Sequence, residues 1–385
     1  MKNLIFKIVL IATFGLILLT GIQTKAQDNT PPNVNQYYKG YVRKVISVDI
    51  SDETNYRATL EVELTEGPSK GQFKEVNFEK VGRIQEGQKI AEGDRVIVME
   101  TSFQDELSYF VVDKYRLDSI YLIVILTILV TVAVSGWKGI NSILGLIISI
   151  LILLRYLIPN LQIGQNPIVI GLTGSVAIAF ASMYLAHGFN RKTTVSLIAT
   201  FLTISIAIML SVWAVDITYL FGLGTEEAFY LQANESGTID VTGLLLAGII
   251  VGTLGILDDI TISQVSIVEE IHDVDNSINL WSLIKRGMNV GKDHIASLIN
   301  TLALAYAGVS LPLLLTFSIT QNQPIWVIAN SEYIAEEIVR TLIGSITLII
   351  AVPISTFLGA YFIKYPPAFL KYLPKSKHHR HSHHQ

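Results

Sequence analysis

The residues best suited to chemistry lie between Gly248 and Glu270, where glycines and acids share one helical pattern. At about 100° per residue, Gly248, Gly252, Gly255, Asp259, Ser263, Ser266 and Glu270 fall within about 40° of Asp259 on a single face. Asp258 begins a neighbouring file through Val265, Glu269 and His272, so two lines of acids run down adjacent faces. An ionised carboxylate near the hydrocarbon edge costs roughly 2 to 3 kcal/mol even on a lenient insertion scale. The two adjacent aspartates therefore imply water, a cation or a partner charge. They could line a cation path or bind a divalent ion through oxygen ligands. Equally, they could pair with Lys285, Arg286 or Lys292, or face water where the helix leaves the bilayer. The glycines allow close backbone approach to a neighbour. With Ile249, Ile250, Val251, Leu254 and Leu257 opposite, the small polar stripe is expected to pack against other helices rather than lipid.

A second polar segment begins with Gly291-Lys292-Asp293-His294 and presents His294, Thr301, Ala305, Gly308 and Pro312 on one face, with Asn300 one residue away. Pro312 lacks a backbone donor and frees the carbonyl of Gly308, which predicts a kink or a discontinuous helix. Transporters build binding sites from such breaks, although a proline kink can also be plain architecture. Pro353 admits the same two readings. His294, with an ordinary pKa of about 6.5, could move protons beside Asp293 or sit as a hydrogen-bonded interface histidine. The candidate ion- or solute-binding residues are thus Asp258, Asp259, Ser263, Gln264, Glu269, Glu270, Asp293, His294, Asn300 and Thr301. The candidate packing positions are Gly248, Gly252, Gly255, Gly308 and Pro312. No catalytic residue and no metal are assigned, and no cofactor is evident beyond a coupling proton or cation.

These segments must be held by a membrane framework. Of 385 residues 50% are hydrophobic and only 16% charged, against about a quarter charged in a soluble domain. The net charge of −4 argues against nucleic-acid binding. The chain has no cysteine, which excludes disulfides, thiolate metal sites and cysteine nucleophiles. After Arg116 come seven apolar segments, near 119–136, 140–158, 168–187, 194–221, 241–260, 295–319 and 341–363. Each is long enough to cross about 30 Å of hydrocarbon as a helix, and unpaired backbone is not tolerated there. Every Lys and Arg beyond Arg116, except Arg155 and Arg340, falls in alternate loops or the carboxyl-terminal tail. The positive-inside rule makes those loops cytoplasmic. Arg155 and Arg340, at the outer ends of their spans, are expected to snorkel to the interface.

Residues 1–26 combine Lys2 and Lys7 with an apolar run from Ile8 to Leu19 and then Thr24-Lys25-Ala26, the pattern of a signal peptide or an uncleaved anchor. Residues 27–36 read as a tether. From 37 to 116 the texture turns to short alternating stretches such as Leu60-Glu61-Val62-Glu63-Leu64, with turn residues at Gly67-Pro68, Glu86-Gly87 and Gly93-Asp94. About five short strands predict a small extracytoplasmic β-barrel of the oligonucleotide-fold or SH3-like type. The expected fold is therefore an α-helical membrane protein, seven helices over 117–364 following a small all-β barrel. A cytoplasmic His-rich tail over 365–385 receives no function. An exported barrel followed by seven spans puts the carboxyl terminus in the cytoplasm, as the charge count does independently.

The string Gly252-Thr253-Leu254-Gly255-Ile256-Leu257-Asp258-Asp259-Ile260-Thr261, continuing through Gln264 to Glu269-Glu270, resembles the YibE/F-like family of bacterial membrane proteins. The resemblance resumes at Gly291-Lys292-Asp293-His294-Ile295-Ala296-Ser297, at Asn300-Thr301-Leu302 and at Leu304 to Pro312. It extends more weakly into the β-domain through Gly93-Asp94 and Tyr115-Arg116. It implies a multi-pass protein of the bacterial cytoplasmic membrane with an extracytoplasmic amino-terminal domain and no settled activity. It also implies that the acid matching Asp259 is the more essential of the pair.

Three functions are consistent with these residues. The leading one is a transporter or permease with a polar cavity around Asp259, Ser263, Gln264, Asp293 and Asn300, Asp259 taking a coupling proton or cation. The second is a sensor or assembly factor whose exported barrel engages a partner. The third, an intramembrane hydrolase pairing Asp259 with Asp293, lacks the Gly-x-Gly-Asp signature of intramembrane aspartyl proteases, since Gly291-Lys292-Asp293 does not supply it. Beyond the lipid bilayer and a possible partner of the barrel, no partner is indicated.

Overall fold

The computed structural model describes residues 36–52, 55–82, 84–103, 106–234, 239–319 and 324–374. The expected signal segment, nearly all of the tether and the His-rich stretch from 375 lie outside the described residues. The chain forms two compact units that divide between Thr131 and Val132.

In the first unit, strands β1 (Gln36–Asp52), β2 (Asn55–Leu64), β3 (Phe73–Val81), β4 (Arg95–Phe103) and β5 (Glu106–Lys114) close into a barrel in the order β1-β2-β3-β5-β4. All pairings are antiparallel except β3 with β5. One long strand pairs on both sides: the first residues of β1 pair with β4 and the rest with β2. Register shifts at Val42/Lys44 and Val45/Ser47 supply the bend that closure needs. The period-two pattern sets the faces: Leu60, Val62 and Leu64 are fully buried with Val76, Val96 and Val98, while Glu63 reaches out to Arg43 at 2.5 Å. Such exposed pairs are worth about 0–1 kcal/mol, so the barrel rests on its apolar interior. Burial, assisted by Glu100, pushes the Tyr109 hydroxyl up to about 12. The Arg116 guanidinium, 2.6 Å from Asp113, holds that carboxyl below its usual range.

Helix α1 (Leu117–Gln162) takes in both of the first two expected apolar segments. They meet at Gly136, whose φ of 56° and ψ of −136° break the helical path, and a π-turn over Leu153–Leu157 follows. Then come α2 (Pro167–His187), α3 (Arg191–Ile217), α4 (Glu226–Asn234), α5 (Val241–Val274), α6 (Leu280–Val309), α7 (Leu311–Ile319), α8 (Ile325–Ala329), α9 (Glu332–Lys364) and α10 (Ala368–Lys371). Among the described residues five helices are long and apolar enough to cross a membrane, namely α1, α2, α3, α5 and α9. The segment expected as a single span over 295–319 is divided: α6 ends at Val309 with Ser310 as its cap, and α7 starts with Pro312 as its second residue. The break falls two residues before the proline because a proline is tolerated in the first turn of a helix and not in its interior. Pro353, by contrast, sits inside an unbroken α9.

Asparagines and an aspartate set the helix starts. Asn166, Asn190, Asp240 and Asn279 each accept a backbone N–H of the first turn with their side chains, a cap worth about 1 kcal/mol. Helix α5 is central and packs against α2, α3, α6 and α9. Its apolar arc of Ile249, Ile250, Leu254, Leu257 and Ile260 is buried. Where α5, α6 and α9 meet, Gln264 is wholly buried and donates to the carbonyl of Gly287 at 2.9 Å and to Thr356 Oγ1 at 2.7 Å. Gly287 and Gly291, four residues apart on α6, permit that approach. A Cβ at Gly291 would stand 2.5 Å from Val352 Cγ1 and 3.0 Å from Gln264 Nε2.

Candidate functional site

Helix α5 turns its greasy arc into the bundle and leaves its small, acidic face open. A Cβ added at Gly248 or Gly255 would meet nothing within 4 Å, and one at Gly252 would reach only the Tyr306 hydroxyl at 3.6 Å. Gly308 is likewise open and Pro312 is exposed. The expectation that Gly248, Gly252, Gly255, Gly308 and Pro312 pack closely against neighbouring helices is therefore corrected. The apolar arc offers far more surface to bury, so α2, α3 and α9 gather on that side, and the small residues of α5 leave a trough instead of a contact.

Two cavities flank this face. The first, about 310 Å³ between α5 and α6, is lined by Gly255, Asp259 and Ser263 from α5 and by His294, Leu298, Thr301 and Ala305 from α6. The second, about 520 Å³, lies between α5, α2 and the later part of α1. It is lined by Asp258 and Asp259, by Ser182 and His187, and by Ser142, Gly145 and Ser149. Gly255 and Asp259 border both, so Asp259 stands between the two cavities while Asp258 belongs to the second alone. The Ser182 hydroxyl donates to Asp258 Oδ2 at 2.7 Å. Asp258 Oδ1 is buried and has no hydrogen-bond partner among the described residues, whereas a buried polar atom ordinarily has one.

Farther along α5, the second acidic file reaches another cavity of about 380 Å³. Glu269, His272 and Asp273 line it together with Arg191, Lys192 and Lys364. Charges of both signs meet there. Glu270 is exposed beside it.

Of the predicted residues, the structure thus brings together Asp258, Asp259, Ser263, His294 and Thr301. It does not bring Gln264, Asp293 or Asn300 to them. The Gln264 amide is committed to Gly287 and Thr356 on the far side of α5, while Asp293 and Asn300 lie on the exposed side of α6. The helical period explains this: one residue is about 100° of rotation, which carries Asn300 off the face of Thr301 and Asp293 off that of His294. Asp259 and Asp293 line no common cavity among those flanking α5. Among the described residues, no ion pair joins Asp258 or Asp259 to Lys285, Arg286 or Lys292, and no three His, Asp or Glu gather as they would around a metal ion. Arg340 pairs with Glu337 at 2.9 Å.

Sequence reasoning missed the opposite wall. Ser142, Gly145 and Ser149 lie at spacings of three and four in an otherwise apolar helix, the same signal that marked α5. Ser182 and His187 carry no such signal. Also missed was a pair of carboxylates at the start of α9. Glu332 accepts the backbone N–H groups of Phe221 at 2.7 Å and Leu223 at 3.1 Å. Glu336, buried, accepts that of Gly224 at 2.8 Å, so the turn after α3 is tied to α9.

No curated protein and no solved structure matches the chain. The family model described as YibE/F-like protein matches residues 123–365, which includes the α5 trough and both of its walls. With most of its length covered by that match, the chain belongs to the YibE/F-like family.

Proposed function

We propose that this protein is a transporter or permease for an ion or small solute. The observation that carries the reading is the position of Asp259 between two cavities on the open face of the central helix. Asp259 takes the coupling proton or cation, Ser263, His294 and Thr301 supply polar contacts in one cavity, and Asp258 with Ser182 does so in the other. Small residues at Gly248, Gly252 and Gly255 leave room for a solute to move along α5. Carboxylates at membrane depth are expensive unless used. The distribution of basic loops supports placement in the bacterial cytoplasmic membrane, with the barrel outside and the carboxyl terminus in the cytoplasm. The test is flux in vesicles containing the purified full chain and a pH-sensitive dye, under imposed Na⁺, K⁺ or proton gradients. Wild-type protein moves protons or cations and Asp259→Asn does not. Full flux in Asp259→Asn overturns the reading.

A second reading, that the barrel engages an extracytoplasmic partner, is favoured by exposed apolar side chains on its outer wall. Phe110 and Val112 point outward from β5, and Phe73 is exposed at the start of β3. Co-purification of a partner with the full chain, lost in Phe110→Ser with Val112→Ser, supports it. A partner that is retained by this variant counts against it.

A further inference from the structure

A histidine stands between Asp259 and one end of the bundle. Helices α2 and α5 run side by side in the same direction: a Cβ at Gly171 would meet Ala247 at 3.2 Å, and Ser182 bonds Asp258 at the same offset of 76 residues. On that register His187, the last residue of α2, lies one turn beyond Asp259, about 6 Å along the axis. Helix α1 runs the other way, with Leu157 beside Gly174 and Gly145 beside Ser182, so Ser142 and then Lys138 come to the same end. Ser142, His187 and Asp259 thus make the polar end of the cavity of about 520 Å³, and Leu153, Ile178 and Val251 its apolar end.

His187 is exposed where α2 gives way to Gly188, yet it lines the cavity of the two aspartates. It therefore faces solution on one side and Asp259 on the other. The charges of Asp259 from α5, Lys192 from the start of α3 and Lys138 from α1 all act on its imidazole. Asp258 is the other charged group of this cavity, and His294 of α6 faces Asp259 from the opposite one. Imidazole changes charge near neutral pH, and its two nitrogens accept a proton on one side while donating on the other. The serines of the wall stay neutral throughout.

We propose that His187 relays protons between Asp259 and the solution at the end of the bundle that carries Lys138, Arg191 and Lys192, so that the ion taken by Asp259 is a proton. The inference rests on the transport reading above and narrows it. In loading, the His187 imidazolium gives its proton to the Asp259 carboxylate, which becomes the neutral acid. The neutral imidazole then takes a proton from a buffer acid in solution. Release reverses both transfers. The polar end of the cavity admits the water that bridges the one-turn gap. A histidine placed only to complement the end of a helix would answer to the helix terminus and would have no need of a carboxylate cavity behind it.

The experiment uses the full chain in vesicles that enclose a pH-sensitive dye, under an imposed proton gradient, with and without added imidazole. His187→Gln and His187→Asn slow proton flux on the order of a hundredfold, the low end of what a positioned proton-transfer group contributes. Imidazole restores it, measured as the gain over vesicles holding Asp259→Asn, which imidazole does not rescue. Both substitutions fall at an exposed helix end, where changes in stability stay within about 0.5 kcal/mol, and unchanged melting temperatures check that the variants are folded. Full-rate flux in both variants overturns the relay, as does slow flux that imidazole leaves slow. Wild-type flux of Na⁺ or K⁺ with no proton movement overturns the relay and leaves the transport reading standing. A wild-type protein that moves no ion at all overturns the transport reading, and the relay with it.

Discussion

The Ser182 hydroxyl on α2 donates to the Asp258 carboxylate on α5 at 2.7 Å, and it is the only hydrogen bond seen to reach that side chain from another helix among the described residues. The bond fixes which of two adjacent aspartates is held. Asp258 is anchored to the wall of one cavity, and Asp259 is presented to both. Removing the donor by Ser182→Ala leaves a half-buried carboxylate without it, a loss of about 1.5–3 kcal/mol for a bond to a charged group. Thermal unfolding in detergent measures it. Asp258→Asn keeps an acceptor for Ser182, so it should destabilise less than Ser182→Ala. If the two variants melt alike, or the order reverses, the bond does not hold Asp258.

Glycines on α5 and α6 should respond in opposite ways to the same added methyl. Gly291→Ala drives a Cβ to 2.5 Å from Val352 Cγ1, and such overpacking typically costs about 1–3 kcal/mol. Gly248→Ala enters open space, where the better helix propensity of alanine makes it neutral or stabilising by up to about 1 kcal/mol. Melting temperatures of the two variants check this directly. Equal losses would mean that the α5 face is packed after all.

Glu332 and Glu336 tie the turn at 221–224 to α9 through three backbone N–H groups. Glu336→Ala leaves the Gly224 N–H without its acceptor and opens space where a Gly224 Cβ would have met the carboxyl. A loss of about 1–3 kcal/mol is expected for that buried donor. Hydrogen exchange is the sharper readout: amides of Leu223 and Gly224 should exchange faster in Glu332→Ala and Glu336→Ala, while those in the middle of α3 keep their protection. Unchanged exchange at Gly224 would refute the tie.

The barrel should lose stability at both ends of the pH scale for separate reasons. Arg116 holds the Asp113 carboxyl below its usual range, so the folded value is depressed. Its contribution is present above the unfolded value of about 3.9 and is lost as pH falls through the lower folded value. The Tyr109 hydroxyl is raised to about 12. Its contribution is present below the unfolded value of about 10 and is lost as pH rises toward 12. Tyrosinate absorbance of the full chain should lose one late-titrating tyrosine in Tyr109→Phe. Near-ultraviolet dichroism of the full chain should show a flatter acid limb in Asp113→Asn.

Much of the architecture could be read from pattern alone. Strand period two put Leu60, Val62 and Leu64 inside, because alternate side chains must point to opposite faces. Runs of around twenty apolar residues marked helices, because nothing else satisfies a backbone in hydrocarbon. The angular stripe through Gly255, Asp259 and Ser263 grouped residues that line one cavity. Ser142 and Ser149 carried a weaker form of the same signal. The glutamates that hold the turn after α3 carried none, since their partners are backbone groups about 110 residues away.

The sequence by itself determined which residues of α5 share a face, since that follows from 3.6 residues per turn. Whether the face would be packed or open was decided only by the tertiary structure. The apolar arc competes for the same neighbours, and burying Ile249, Leu254 and Leu257 against α2, α3 and α9 outweighs closing glycine against helix. For the same reason Gln264, next to Ser263 in the chain, is buried between α6 and α9 while Ser263 faces the cavity. Rotation about one helix axis separates them, and only the arrangement of the surrounding helices gives each side of that axis its meaning.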